Sequence, residues 1–501
     1  MKDKLLRAIS LILVLAIVII GAVSCGGSGG DSGSPDVTDA DAAPAEETTA
    51  ETGINDNLPD LDYKGSTVKI HTFGYKDVVR YDGKGEGETG DILDDAVYAR
   101  NLATEERLKV KLEYTNGTED WGGFANEVQK MVLAGDYTHD FVMLESSQCF
   151  RLMLNGYFRE LTDLPYIDIE QPWWYKTFMD GGAIRPERYY FVTGAFSITT
   201  LLGGSCTIFN KSLFDNYFGD HNELYDKVEN NEWTHDAFIK YCMEAYTDVN
   251  GDGAMDKGDI VGFYNRGQTT VNYTSMSVGL PFMSRDSEGL PVLELGSEQA
   301  LEWVEILYRM LYEDNISYPG NYDEGLPHFV SGNAIFYLGM LSDFIDAKLR
   351  AMSMPYGILP MPVMNENLEY MSAAGTVNGM SAILPVTTPD DRLEISGAVL
   401  ESLSIEAYRT VIPAFYDIAL KAKYADTERD SDMVDIIYNT IDTSFIMIAD
   451  KLLGTGSFFF NCVVSSKKTP GEYMSYYESK SPAILKQWDD MIVSFLALGE
   501  Q

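Results

Sequence analysis

From Ser66 onward the apolar positions recur with two alternating periods. The run STVKIHTFGY at 66–75 is β-rich, breaks at Gly74, and reads as a first strand that delivers Phe73 and Tyr75 to a strand end. Over 92–107 (ILDDAVYARNLATEER) Leu93, Val97 and Leu102 fall at near-helical spacing, and VKLEY at 110–114 alternates again. A helical pattern at 124–133 leads into the continuous apolar run 140–144, the pattern of a strand buried on both faces. Strands alternating with helices predict an α/β fold of mostly parallel sheets flanked by helices, with ligands held beyond the carboxyl ends of the strands. Tyr75 and Glu145 fall on that side.

The alternation then restarts. YYFVT at 189–193 reads as a strand leaving a first lobe, a hinge is expected near 195–200 with Ser197 in it, and CTIFNKSLF at 206–214 opens a second strand–helix series. Residues 333–338 and 379–384 are further strand candidates, so the chain crosses between lobes more than once. The 441 residues from Leu61 exceed what one core organises, which also predicts two lobes. The expected division is a first lobe at 61–195, a second at 196–330, a return to the first at 331–385, and a mainly helical 386–501 packed on the second lobe and hinge.

The ends add a location. Lys2, Lys4 and Arg7 precede the uncharged run Ala8–Ser24, the layout of a secretory signal, with an uncleaved anchor as the alternative. Residues 1–24 are read as the signal and Cys25, after Ala22-Val-Ser24, as the lipid-modified new N-terminus. Residues 26–60 carry nine acidic residues with no Lys, Arg or aromatic residue, so 25–60 is a disordered acidic linker. The chain then sits on the extracellular face of the membrane, held by the lipid on Cys25.

Charge excludes partners. The formal net charge is −40, of which −33 belongs to residues 61–501; such a surface repels nucleic acid and anionic headgroups and suits neutral ligands. Cys149, Cys206, Cys242 and Cys462 show no metal or redox spacing, and no disulfide among them is assignable.

The densest motif is DVNGDGAMDKGD at 248–259. Oxygen donors stand at positions 1, 3, 5, 9 and 12 (Asp248, Asn250, Asp252, Asp256, Asp259), Gly253 at the sharp turn and Ala254 where a backbone carbonyl serves. This predicts a Ca2+ loop. A helix at 233–246 capped by Thr234 enters it, but 260–264 leaves as a strand and no second loop exists, so the ion is read as a structural clip and not a switch.

Other motifs carry less. GEGETG at 85–90 places Glu86 and Glu88 where a pyrophosphate would lie, which argues for an acidic surface loop. The five histidines form no HExxH, and there is no GxSxG. Trp173-Trp174-Tyr175, Tyr189-Tyr190, Trp121 and Tyr273 are candidate sugar-stacking faces.

In order along the chain, ARN at 99–101, EER at 105–107, LAGD at 133–136, QPWW at 171–174, FNKSLF at 209–214, WTHDAF at 233–238 before the acidic loop, LKAKY at 420–424 and MVDII at 433–437 make the chain similar to extracellular solute-binding proteins of family 1, the lipid-anchored receptors of bacterial ABC importers. His235 departs from the Trp common in that family. The resemblance, over about 68–447, implies a type II periplasmic-binding-protein-like fold, two lobes joined by several hinge crossings. It also implies a monomer that clamps a small solute, in many members a sugar or oligosaccharide, and delivers it to ABC permease membrane subunits without chemistry of its own. A calcium loop in some members is structural. The expected ligand residues are Tyr75, Glu145, Trp173, Trp174, Ser197, Tyr273 and Asn378. The rival readings are a surface glycoside hydrolase with a structural calcium, and a calcium-stabilised adhesin.

Overall fold

The computed structural model describes residues 56, 58–279, 282–374, 379–421, 428–443 and 445–499; the signal, Cys25, most of the linker and Asn378 lie outside them. Two sheets organise the described residues. The first uses β1 (Ser66–Thr72), β2 (Val110–Asn116) and β3 (Phe141–Glu145), with β1 parallel to both neighbours through Ser66↔Val110 and Ile70↔Phe141. All five residues of β3 are buried, as its unbroken apolar run predicts.

Local chemistry sets the connections. The helix Ile92–Leu108 starts where the Asp91 carboxylate accepts the Leu93 and Asp94 N–H groups at 3.1 and 3.2 Å. The 85–90 stretch leads into that cap, with Glu86 and Glu88 exposed and the Thr89 N–H on Asp95 at 2.7 Å. The next helix begins at Trp121, three residues before the apolar periodicity suggests, because Asp120 caps it through the Gly123 N–H. Beyond β1, a Cβ on Gly74 would stand 2.1 Å from the Gly117 carbonyl oxygen, so only glycine lets these strand-end loops meet.

The second sheet contains β4 (Ser205–Asn210) and β5 (Val261–Asn265), then, past a small hairpin of β6 (Met283–Arg285) and β7 (Pro291–Leu293), β8 (Ser317–Pro319), β9 (Ala334–Met340) and β10 (Tyr356–Leu359). Its order is β10-β4-β9-β5-β8. The sheet is mixed: β9, β5 and β8 run parallel, whereas β4 is antiparallel to both of its neighbours.

Two expected boundaries are corrected. Residues 334–340 do not return to the first lobe; they are the middle strand of the second sheet. All seven are buried, and a uniformly apolar run fits the centre of any sheet without saying which. The return comes later: β11 (Ser372–Ala373) pairs with β13 (Ile441–Asp442) at the hinge, and β12 (Met380–Ile383) joins β3 antiparallel as the fourth strand of the first sheet. The C-terminal part also does not belong to the second lobe alone. Leu393–Lys421 packs along the helix Ile92–Leu108 of the first lobe, whereas Glu428–Asn439 lies on β10 of the second. The last long helix, Tyr473–Leu496, reaches both: Trp488 Nε1 donates to the Pro291 carbonyl at 2.8 Å, and the Phe495 ring lies 5.0 Å from the Arg188 guanidinium.

The first crossing holds Gly194 to Gly204, with the short helix Ile198–Leu202 inside it, and touches the second where Gly204 bridges Ala374. No described helix is long and apolar enough to cross a membrane. Cys149, Cys206, Cys242 and Cys462 are buried free thiols.

Candidate functional site

A cavity of about 150 Å³ opens where the two lobes and the hinge meet, lined by Tyr75, Asp77, Val78 and Tyr81 of the first lobe, Thr199 and Leu202 of the hinge, and Tyr322, Met340, Ser342 and Ile345 of the second. Each wall follows from a strand end. Tyr75 lies beyond β1, and Asp77 and Tyr81 are on the helix Lys76–Tyr81 that follows it. Met340 ends β9, and Ser342 and Ile345 belong to the turn of helix after it. Tyr322 follows β8.

Aromatic packing fixes the two outer walls. Tyr75 sits over Phe73 and Trp121, with ring centroids 6.2 and 5.8 Å away. Across the cavity Tyr322 is 54% exposed, and its inner face lies 5.4 Å from the guanidinium of buried Arg266. Arg266 is held in turn by the Tyr337 hydroxyl at 2.9 Å, by the Leu338 carbonyl, and by the Tyr337 ring at 4.7 Å. A ring backed by a fixed cation keeps its orientation without a ligand. Burial raises the Tyr75 phenol, and so do the charge and hydrogen bond of Asp77; burial pushes the Tyr81 phenol up to about 12. At neutral pH these hydroxyls are uncharged donors and acceptors.

The hinge floor is tied to the first lobe. The buried Asp82 carboxylate accepts the Thr199 N–H at 3.0 Å and the Ser197 and Thr199 hydroxyls, and Arg100 donates to the Phe196 carbonyl at 2.9 Å. Burial pushes Asp82 up to about 6, against those hydrogen bonds and the Arg100 charge.

Several expected ligand residues stand elsewhere. Trp173 and Trp174 are 1% and 4% exposed, and their indole N–H groups donate at 2.8 and 2.9 Å to the two oxygens of Glu401. They are core and not a stacking platform, because a buried carboxylate on the helix Leu393–Lys421 captures both polar ends. Glu145 is also removed from the ligand set: β12 covers the edge of β3, and the buried carboxylate accepts the Ser147 hydroxyl and is pushed up to about 7 by burial. Ser197 is in the hinge but fully buried on Asp82; Thr199, two residues on, is the hinge hydroxyl that lines the cavity. Tyr273 stands one layer back, its hydroxyl on the sulfur of Met340. Tyr75 lines the cavity, and Asn378 lies outside the described residues.

The lining residues that went unforeseen are Asp77, Val78, Tyr81, Thr199, Leu202, Tyr322, Met340, Ser342 and Ile345. The strand-end rule that selects Tyr75 also reaches Met340 and Ser342, once 334–340 is given to the second sheet. Tyr322 carries no comparable signal.

The loop 248–259 lies apart from this cavity's lining. An antiparallel bridge from Thr247 to Ile260 closes it, a helix (His235–Ala245) enters and β5 leaves. Asp248 accepts the Gly251 and Gly253 N–H groups at 2.7 and 2.8 Å, and fully buried Asp259 accepts those of Val249 and Asp256 at 3.0 and 2.9 Å. Asn250 Nδ2 joins Asp256 at 2.9 Å, tying positions 3 and 9 together. Gly253 has φ +80°, the turn position six demands. The oxygen donor types and this turn fit a calcium ion. Their carboxylates do not gather in threes within 4.8 Å; among the described residues Asp215, Asp220 and His221 alone do so.

A family model described as bacterial extracellular solute-binding protein matches residues 102–400. No curated protein matches the sequence. Among solved structures, an ABC substrate-binding protein from Listeria monocytogenes in complex with cycloalternan has a TM-score of 0.53 at 14% identity, over 86% of this chain and 99% of that one. UgpB from Mycobacterium tuberculosis in complex with glycerophosphocholine has 0.54 at 11%, over 85% and 100%. A cyclo/maltodextrin-binding protein complexed with maltotetraose has 0.54 at 11%, over 86% and 98%. At these identities the likeness is one of fold, the two-lobe architecture of periplasmic binding proteins.

Proposed function

Because the chain belongs to the bacterial extracellular solute-binding protein family, we propose that it captures a sugar or short oligosaccharide between its lobes and hands it to the membrane subunits of an ABC permease. The observation that carries this reading is the cavity lined from both lobes by tyrosine rings and hydroxyls: Tyr75, Tyr81 and Thr199 against Tyr322 and Ser342. Aromatic faces take the C–H faces of a pyranose while hydroxyls meet its hydroxyls. A ligand that touches both walls binds the closed arrangement better than the open one and shifts the population towards it. The fold also seats other solutes in other proteins, so the sugar rests on the wall chemistry.

Secretion by the 1–24 signal and a lipid tether on Cys25 belong to the same proposal, as does a structural Ca2+ at Asp248, Asn250, Asp252, Ala254, Asp256 and Asp259. The ion would brace the connection between the helix His235–Ala245 and β5; no residue of the loop lines the cavity, and Lys257 in it pairs at 2.6 Å with Glu324, in the same turn as Tyr322. Chelation should therefore lower the melting temperature, and Asp252→Ala should abolish that dependence, since an ion bound only to the folded form stabilises it by mass action.

The test of the main reading is a thermal-shift screen of residues 61–501 with mono- and oligosaccharides, amino acids and peptides, followed by small-angle scattering and product analysis on each hit. A sugar that raises the melting temperature, shrinks the particle and is recovered intact is the expected result. Released product would favour the hydrolase; binding without compaction would favour the adhesin. No shift with any sugar would overturn the carbohydrate assignment.

A further inference from the structure

The ten residues that line the cavity include one ionisable carboxylate, Asp77, and no lysine, arginine or histidine. Asp77 is half-buried on the helix Lys76–Tyr81, next to the Tyr75 ring. The guanidiniums of the flanking walls are engaged elsewhere. Arg80 faces Asp94 at 2.7 Å and Asp91 at 3.7 Å, and buried Arg266 is spent on Tyr337 and the Leu338 carbonyl behind the Tyr322 ring. The remaining polar groups of the lining are the hydroxyls of Tyr75, Tyr81, Thr199, Tyr322 and Ser342.

We infer that Asp77 makes this cleft select its ligand by charge: it accepts neutral sugars, favours sugars that carry a protonated amine, and rejects uronates and sugar phosphates. The inference rests on the sugar-binding reading above and adds a substrate class to it. A carboxylate in a narrow, partly desolvated wall attracts an ammonium and accepts hydroxyl hydrogen bonds, whereas an anionic ligand meets like charge with no cation to answer it. The chain's charge of −40 adds the same sign at longer range. That long-range part is screened by salt and the local part much less, which separates Asp77 from the general surface.

The experiment is calorimetric titration of residues 61–501 with matched series. Glucose, galactose and mannose are each compared with their 2-amino and uronate forms, and di- and trisaccharides are compared in neutral, deacetylated-amino and uronate series. All are measured at low and at physiological salt. The expected order is amino over neutral over uronate, with the uronate weaker than its neutral partner by on the order of tenfold or more at either salt. Asp77→Asn should compress the amino-to-uronate spread at physiological salt, read as the ratio of affinities within each series, whatever it does to the affinity for the neutral sugar. A uronate that binds as well as its neutral counterpart, or a spread that survives in Asp77→Asn, would overturn the inference and leave the sugar receptor standing. Absence of binding by every sugar would instead remove the carbohydrate assignment, and this inference with it.

Discussion

Two aromatic pairs serve opposite ends in this molecule. Trp173 and Trp174 are adjacent in sequence, buried together, and bound through their indole N–H groups to one carboxylate, Glu401. Tyr75 and Tyr322 are far apart in sequence, on different lobes, and line one cavity. In the first pair every polar atom is satisfied inside the protein, so the rings have nothing to offer a solute. In the second, Phe73, Trp121 and Arg266 support the rings from behind and leave the cavity side free. Whether an aromatic ring binds ligand or holds the core is decided by what stands behind it and what its polar end touches, and not by its type.

The contrast breaks most sharply by truncation. Trp173→Ala should cost about 3–5 kcal/mol of stability, the range for removing a large buried ring, because it also strips a hydrogen bond from buried Glu401. Thermal and denaturant unfolding read this directly. Affinity for a sugar ligand, measured on the fraction that remains folded, should change little. A stable Trp173→Ala protein with lost affinity would reverse the assignment of the two pairs.

The converse variant is Tyr322→Ala. Its ring is 54% exposed, so stability should shift by less than about 1 kcal/mol. Ligand affinity should fall by about tenfold to a hundredfold, the range for truncating an aromatic anchor. Tyr75→Ala should behave alike, with a larger stability cost because Tyr75 also packs on Phe73 and Trp121. Unchanged affinity in both variants would move the binding surface away from this cavity.

Much of the architecture is legible in the sequence. The period changes along 66–144 correspond to β1, β2, β3 and the helices between them, and the interrupted pattern near 195–200 corresponds to the hinge. Periodicity reports burial and not partner, however. The buried run 334–340 could therefore be placed in either sheet, and that error hid Met340 and Ser342. The aromatic signal failed for a related reason. Trp173 and Trp174 look like a platform until Glu401, more than two hundred residues later, is seen between their ring nitrogens. Tyr322 gave no signal because its role comes from Arg266 behind it and Tyr75 opposite, both of them tertiary relations. The turn of the loop 248–259 is the counterexample: Gly253 at φ +80° and the Asp248 carboxylate on the Gly251 and Gly253 N–H groups are relations within twelve consecutive residues, and such a turn can be read without the fold.

The smallest effect tests the first pair through its carboxylate. Burial pushes Glu401 up from 4.5 to about 7, against the hydrogen bonds from Trp174 and Trp173. Between those two values the folded chain keeps a proton that the unfolded chain has released, so this group's contribution is most favourable below about pH 4.5 and is lost as pH rises towards 7. Asp82 and Glu145, raised to about 6 and about 7, add to that trend, while the buried His235, lowered to about 3, opposes it. The whole-protein profile therefore mixes signs, and the difference between wild type and Glu401→Gln isolates one group. Glutamine keeps an acceptor oxygen for one indole and does not titrate. The stability of wild type relative to this variant should be greatest near pH 4.5 and decline steadily to pH 7, read from paired melts at each pH. A difference that is flat over that interval would mean that Glu401 is ionised throughout, and that the tryptophans donate to a carboxylate and not to a carboxylic acid.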